Sequence, residues 1–445
     1  MKKIAAVVDK YSELILAAER YIWKNPETGY KEFKTSAYMK EKFEELGYEI
    51  TEADGITGFY TNIDTGCEGP ELLILAELDS IICPTHPDSD PITGAVHSCG
   101  HNAQCAALIG IAAALKEPGV LDGLCGKIRL CAVPAEELLE IDYRSKLKAE
   151  GKIKYFGGKS EFLSRGYFDG VDLAFMVHIS NDGFTVDPGM LGCIAKSVEY
   201  KGKAAHAGGS PWEGCNALYA AACGINAVNA IRETFKDSNL IRVHPIITHG
   251  GDMVNAIPES VSLESYVRGR TFESIAEANK HMNRALIGGA VSLGANIDIK
   301  DIPGYAPLIN APGMIELCKE ALEEAVPGTP LNISTEFRTG STDMGDLSCI
   351  MPVVHPFAPG ASGTSHGSDY SISDPQTACV TNAKWQLAMI KLLLENGAAR
   401  AKKIIAEFKP RFASAKKYLA YVDSFDSSGD RIEYNDDGTA SVILK

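Results

Sequence analysis

Basic charge is in short supply: 43 lysines and arginines stand against 58 aspartates and glutamates in 445 residues, a net charge of −15. That argues against a nucleic-acid partner, whose phosphates need a basic face. Long apolar runs are equally scarce. No segment has the uninterrupted length needed to span a bilayer. Over Met1–Lys10 charge interrupts the apolar run too soon for a signal peptide, and no small-residue cleavage site follows. Paired cysteine spacing is missing too. The 12 cysteines are scattered, which in a chain of this length reads as a reduced, cytoplasmic protein without a disulfide framework. There is no internal repeat or low-complexity segment. What remains, at 45% hydrophobic and 23% charged residues, is an ordinary globular composition, long enough for two or three domains. It fits a protein that acts on a small molecule.

Residues 9–48 read as two helices broken at Asn25-Pro26-Glu27-Thr28-Gly29. Leu72–Ala76 is a continuous apolar run without alternation, the pattern of a strand buried on both faces of a parallel sheet. It ends in Glu77-Leu78-Asp79. Lys127–Val133 behaves alike and stops at Pro134-Ala135-Glu136-Glu137, and Val171–Val177 stops at His178. Between them Val96-His97-Ser98-Cys99-Gly100-His101-Asn102 opens the apolar helix 103–115. Residues 194–302 change character. Their order, β-α-β-β-α-β, is the ferredoxin-like split unit, with a capping box expected at Ser210–Glu213. The fold expected is therefore α/β. A discontinuous catalytic domain, 1–192 and 304–445, carries a mostly parallel sheet flanked by helices, and an α+β satellite spans 193–303. The tail ends in a hairpin around Asp436-Asp437-Gly438.

In an open α/β sheet the carboxyl ends of strands and the starts of helices line one edge, where ligands bind. Cys99 and His101 stand two residues apart at a helix N-terminus, which favours the thiolate form that binds metal. Glu137 and His178 fall at strand ends and His366 in a late polar loop. Five mixed S, N and O ligands suit two divalent ions, Zn²⁺ first, or Mn²⁺ or Co²⁺ if the shell is oxygen-rich. Ions about 3.5–4 Å apart can polarise a carbonyl and supply hydroxide near neutral pH. Glu136, beside a ligand, is then placed to move the proton from water to a leaving nitrogen, and Asp79 to orient a ligand histidine. His97 reads as a turn residue, and His244, His249, His281 and His355 as ordinary histidines.

Cys99-Gly100-His101-Asn102, Pro134-Ala135-Glu136-Glu137, Val177-His178, Gly202–Ala207, Asn255-Ala256-Ile257-Pro258 and the late His366 together resemble the amidohydrolase branch of metallopeptidase family 20. Pro211–Leu218 and Gly340–Asp343 are most similar to its aminobenzoyl-glutamate hydrolase B-subunit and β-alanyl dipeptidase relatives. The resemblance implies hydrolysis of the amide of a dipeptide or N-acyl amino acid, and a homodimer formed through the satellite domain. It makes Cys99, His101, Glu137, His178 and His366 metal ligands and Glu136 the general acid/base. His206 would reach across the dimer to the developing oxyanion. Asn255 and Arg268 would hold the substrate carboxylate, a task suited to a planar guanidinium fork.

Asn102 and Gln104 stand where the family often has Asp and His. The usual glycines do not follow the paired glutamates, and 141–159 is charged and unlike the pattern. Two rivals are a thiol hydrolase with Cys99 as nucleophile and a catalytically silent metal-binding regulatory subunit. A zinc deaminase would need His-x-Glu and Pro-Cys-x-x-Cys, which are absent.

Overall fold

The computed structural model describes residues 4–444, which fall into two compact units: 4–189, 308–338 and 342–416, and 190–307, 339–341 and 417–444. Residues 1–3, the start of the Met1–Lys10 segment, lie outside the described residues.

The first unit is built on a six-stranded sheet. Glu71–Glu77 lies at its centre, parallel to Lys127–Val133 on one side and Leu173–Phe175 on the other, with Val353–Val354 parallel beyond. Phe59–Asp64 and Thr51–Glu52 close the other edge antiparallel. The apolar runs without alternation are thus strands covered on both faces. Helix His101–Leu115 is buried along its whole length, which is why its sequence shows no polar face. The strand expected over Val171–Val177 is shorter than its apolar run. The chain leaves the sheet after Phe175 and Val354 and re-pairs as His178–Ser180 with Phe357–Pro359 in a separate four-stranded sheet. Pro352 and Pro356, which cannot donate to a ladder, bound the short strand Val353–Val354.

The second unit is a five-stranded antiparallel sheet under two helices, Ala217–Ile231 and Phe272–Leu293. Its strands run Arg242–Val243, Ser260–Gly269, Gly192–Lys201, Asn296–Pro303, with Ile246–His249 also on Ser260–Gly269. The capping box expected at Ser210 is not formed. Pro211–Glu213 is one 3₁₀ turn, Cys215 pairs back onto Lys203, and the helix starts only after Asn216, whose side chain accepts the N–H of Tyr219 at 3.1 Å.

Two expectations are corrected. Residues 417–444, assigned with 304–445 to the catalytic domain, belong to the second unit. There Ser427 and Arg431 bond the backbone of Asp301 and Ile297, and Ile432 enters the core. The edge of Asn296–Pro303 offers free ladder groups, and a polar tail satisfies them without an apolar signal in its sequence. The cysteines are not all reduced: Cys67 and Cys125 form a disulfide, and the others are free. Pairing of Asp64 with Lys127 brings the two loops together, so cysteines 58 apart in sequence meet without any local spacing motif. Among the described residues no helix is long and apolar enough to cross a membrane.

Candidate metal centre

Cys99 sits in the turn that opens helix His101–Leu115, and Gly100 between them adopts φ 92°. A Cβ there would stand 2.6 Å from the Tyr370 hydroxyl and 3.1 Å from Ile179, besides forcing the left-handed region. Gly100→Ala is therefore expected to cost about 1–3 kcal/mol in thermal or urea unfolding and to weaken metal retention.

The strand ends deliver the other donors to this turn. His101 turns Nδ1 to the main-chain oxygen of Asp79 at 2.9 Å, with the Asp79 carboxylate at 3.3 Å. His178 donates Nδ1–H to the Ile179 carbonyl at 2.7 Å, which leaves Nε2 facing the Cys99 sulfur at 3.4 Å. His366, at φ 64°, is fixed by its N–H to the Ser98 carbonyl and places Nε2 3.0 Å from a Glu137 oxygen. Glu137 in turn donates its N–H to Asp79 Oδ2 at 2.8 Å. Asp79, fully buried, thus sets one histidine and one glutamate at once.

Two donor groups result, Cys99/His101/His178 and Cys99/Glu137/His366, each with ligand atoms within 4.8 Å of one another. Ligands about 2.0–2.3 Å from a tetrahedral ion stand roughly 3.3–3.8 Å apart, a separation that Cys99 Sγ and His178 Nε2 match at 3.4 Å. His101 Nε2 is buried and makes no hydrogen bond among the described residues, although a Glu77 oxygen lies 3.2 Å away. An orphaned ring nitrogen of that kind fits a ligand atom. Burial and Glu137 push the Cys99 thiol up, but His101, His178 and His366 outweigh them and bring it to about 6. The mutual charge also holds Glu137 down at about 2, against its burial, and Glu137 and Cys99 raise His366 to about 12. The metal-free site gathers a thiolate and a carboxylate against protonated histidines, which would release their protons to bind an ion.

Glu136, buried beside Glu137, belongs to a third group with Glu77 and His101. Burial, then Glu77 and Glu137, push its carboxyl well above the usual carboxylate range. A group missed in the sequence backs it. Lys159 is fully buried, with Nζ 2.5 Å from Glu77 and in contact with Asp343, while Gln104 Nε2 meets the other Glu77 oxygen at 3.0 Å. Glu77 closes a buried strand, which was the available signal; Lys159 lay in the stretch that departs from the family pattern. Asn102 binds Glu19 at 2.8 Å. His355 is more than an ordinary histidine, since its buried ring stacks on His178 at 5.7 Å.

Residues 75–390 match peptidase family M20/M25/M40. The chain belongs to the M20 peptidase family. As a member it is a hydrolase of amide and peptide bonds. A human Xaa-Arg dipeptidase is 30% identical over 390 residues, 82% of this chain and 81% of that protein. An N-acetyl-L-cysteine deacetylase of Bacillus subtilis (strain 168) is 30% identical over 329 residues, 70% of this chain and 72% of the relative. Among solved structures, a dinuclear metal-binding M20 peptidase of Bacillus subtilis superposes with a TM-score of 0.63 at 21% identity, covering 87% of this chain and 99% of that one. An aminobenzoyl-glutamate utilization protein of Klebsiella pneumoniae gives 0.64 at 19% identity, covering 87% and 98%. These likenesses establish the shared fold.

The remaining predicted residues of this M20 chain lie in the second unit. His206 is exposed, and its Nδ1 accepts the N–H groups of Gly208 and Gly209 at 3.1 and 2.9 Å, so the neutral ring carries its proton on Nε2. Asn255 adjoins it, its carbonyl taking the N–H of Ala207 at 3.0 Å. Arg268 lies opposite Cys193 and Arg242 in the sheet, with a buried Nε that has no hydrogen-bond partner among the described residues.

Proposed function

We propose that this M20 protein is a metal-dependent amidohydrolase cleaving the amide of a small dipeptide or an N-acyl amino acid, of aminobenzoyl or simpler type, that bears a free carboxylate. The observation that carries the reading is the sharing of Cys99 by two donor groups. Cys99, His101 and His178 would hold one divalent ion, and Cys99, Glu137 and His366 a second, with Zn²⁺ best matched to the sulfur and nitrogen donors and Mn²⁺ or Co²⁺ as alternatives. Bound there, such ions polarise the scissile carbonyl and acidify water.

The protein's own groups do the rest. Glu136 takes a proton from the attacking water and delivers it to the leaving nitrogen, a task that its raised proton affinity suits. Asp79 keeps His101 and Glu137 in place. His206 Nε2–H, supplied across a homodimer, donates to the developing oxyanion, and Asn255 and Arg268 take the substrate carboxylate. The names of the relatives, a dipeptidase and a deacetylase, support both substrate types.

One observation favours a second reading: Cys99, brought to about 6 and 3.4 Å from His178, also resembles an activated nucleophile. Metal analysis of purified protein, then a panel of dipeptides and acyl amino acids with and without Zn²⁺, Mn²⁺ or Co²⁺, tests the first. Bound divalent metal and metal-stimulated hydrolysis are expected. Protein that binds no such ion, or whose hydrolysis is indifferent to metal removal, overturns the metal-dependent reading.

A further inference from the structure

The loop that carries Glu136 and Glu137 is held in a strained form. Ala135 and Glu140, both non-glycine, have φ of 56° and 50°. Such conformations cost about 1–3 kcal/mol each and persist only where neighbours hold them. Glu32 accepts the Ala135 N–H at 2.8 Å, and Asp79 accepts that of Glu137. The opposite side of Glu137 is held by Arg144, whose Nη2 donates to the Glu137 carbonyl and whose Nη1 donates to that of Phe156 at 2.7 Å.

Arg144 is only 1% exposed and donates to two main-chain carbonyls, with the Glu140 carboxylate acting on it electrostatically. Its Nε has no hydrogen-bond partner among the described residues, and the Tyr30 ring stands 5.6 Å from its central carbon. Burying a guanidinium on main-chain carbonyls is a costly way to fill space. Its carrier is anchored as well. Helix Ile141–Ala149 starts after Glu140, whose oxygens meet Thr28 and Lys31, each at 2.5 Å. Gly29 leaves the room: a Cβ there would strike Nη2 and the Ala135 backbone.

We propose that Arg144 is a positioning residue that sets Glu137 through its main-chain carbonyl. The segment 141–159, which is unlike the family's pattern, thereby has a function in the metal site. This rests on Glu137 being the ligand proposed above.

The test compares Arg144→Ala, Arg144→Lys and Gly29→Ala with wild type for Zn²⁺ affinity, kcat, KM and apo-protein Tm. Arg144→Ala is expected to weaken Zn²⁺ binding and lower kcat by about 10–100-fold with KM little changed. Arg144→Lys should recover part of the loss, and added guanidinium at millimolar concentration part of it in Arg144→Ala. Gly29→Ala should shift both readouts the same way with the arginine still present. If Arg144→Ala does not fold, Arg144→Lys and Gly29→Ala carry the comparison. Unchanged Zn²⁺ affinity and kcat, whatever the Tm, would reduce Arg144 to packing. Wild type that binds no Zn²⁺ would instead sink the metal reading itself.

Discussion

Glu136→Gln is expected to lower kcat by about 10²–10⁴-fold while metal content, Tm and oligomeric state stay at wild-type values. Glutamine preserves the shape of the side chain and removes only its capacity to carry a proton. Glu136 belongs to neither of the donor groups that share Cys99, so its loss leaves both sets of ligands intact. Its buried setting, with Glu77 and Glu137 adding negative charge, raises its proton affinity, which suits a carboxylate that must take a proton from water before handing it on. The measurements are single-turnover rate, metal-to-protein ratio and thermal melting on the same preparation. Wild-type turnover in the variant would remove Glu136 from the mechanism. Loss of metal along with turnover would make it a ligand instead.

The ease with which this centre is read from sequence differs from residue to residue, for physical reasons. Cys99, His101, Glu137 and His178 sit where a continuous apolar run stops or a buried helix starts, and sheet topology sends all such points to one edge. The same rule marks Glu77 and Asp79. Their division of labour is not legible, because it depends on which oxygen meets Gln104, Lys159, His101 or Glu137. His366 is held by loop geometry, as a left-handed residue tied to Ser98, and Lys159, in the first turn of the short helix Gly158–Ser164, by contact with Asp343. Neither leaves a periodic trace. The strand expected over Val171–Val177 is too long because apolar character continues past Phe175, where the chain leaves the sheet. The tail from 417 and the Cys67–Cys125 link escaped for a shared reason: both depend on backbone pairings between segments far apart in sequence.

Cys99→Ala is expected to strip metal from both positions at once and to lower activity by at least about 10²-fold, more than removal of a ligand that serves one group alone. The sulfur is the only donor common to the two groups, so its methyl replacement leaves His101 with His178 and Glu137 with His366 as incomplete pairs. A nucleophilic Cys99 predicts equal loss of activity with metal content unchanged, so the metal-to-protein ratio separates the two readings. Order of addition separates them again. If the thiolate is spent on metal, alkylation at Cys99 should be slow in the loaded protein and fast after a chelator, and Zn²⁺ should restore activity only when it precedes the alkylating agent. Exposed Cys223 and partly exposed Cys83 will also react, so the readout is modification mapped to Cys99, together with activity. Rapid alkylation of Cys99 in metal-loaded protein, with activity lost and metal retained, would assign the chemistry to sulfur.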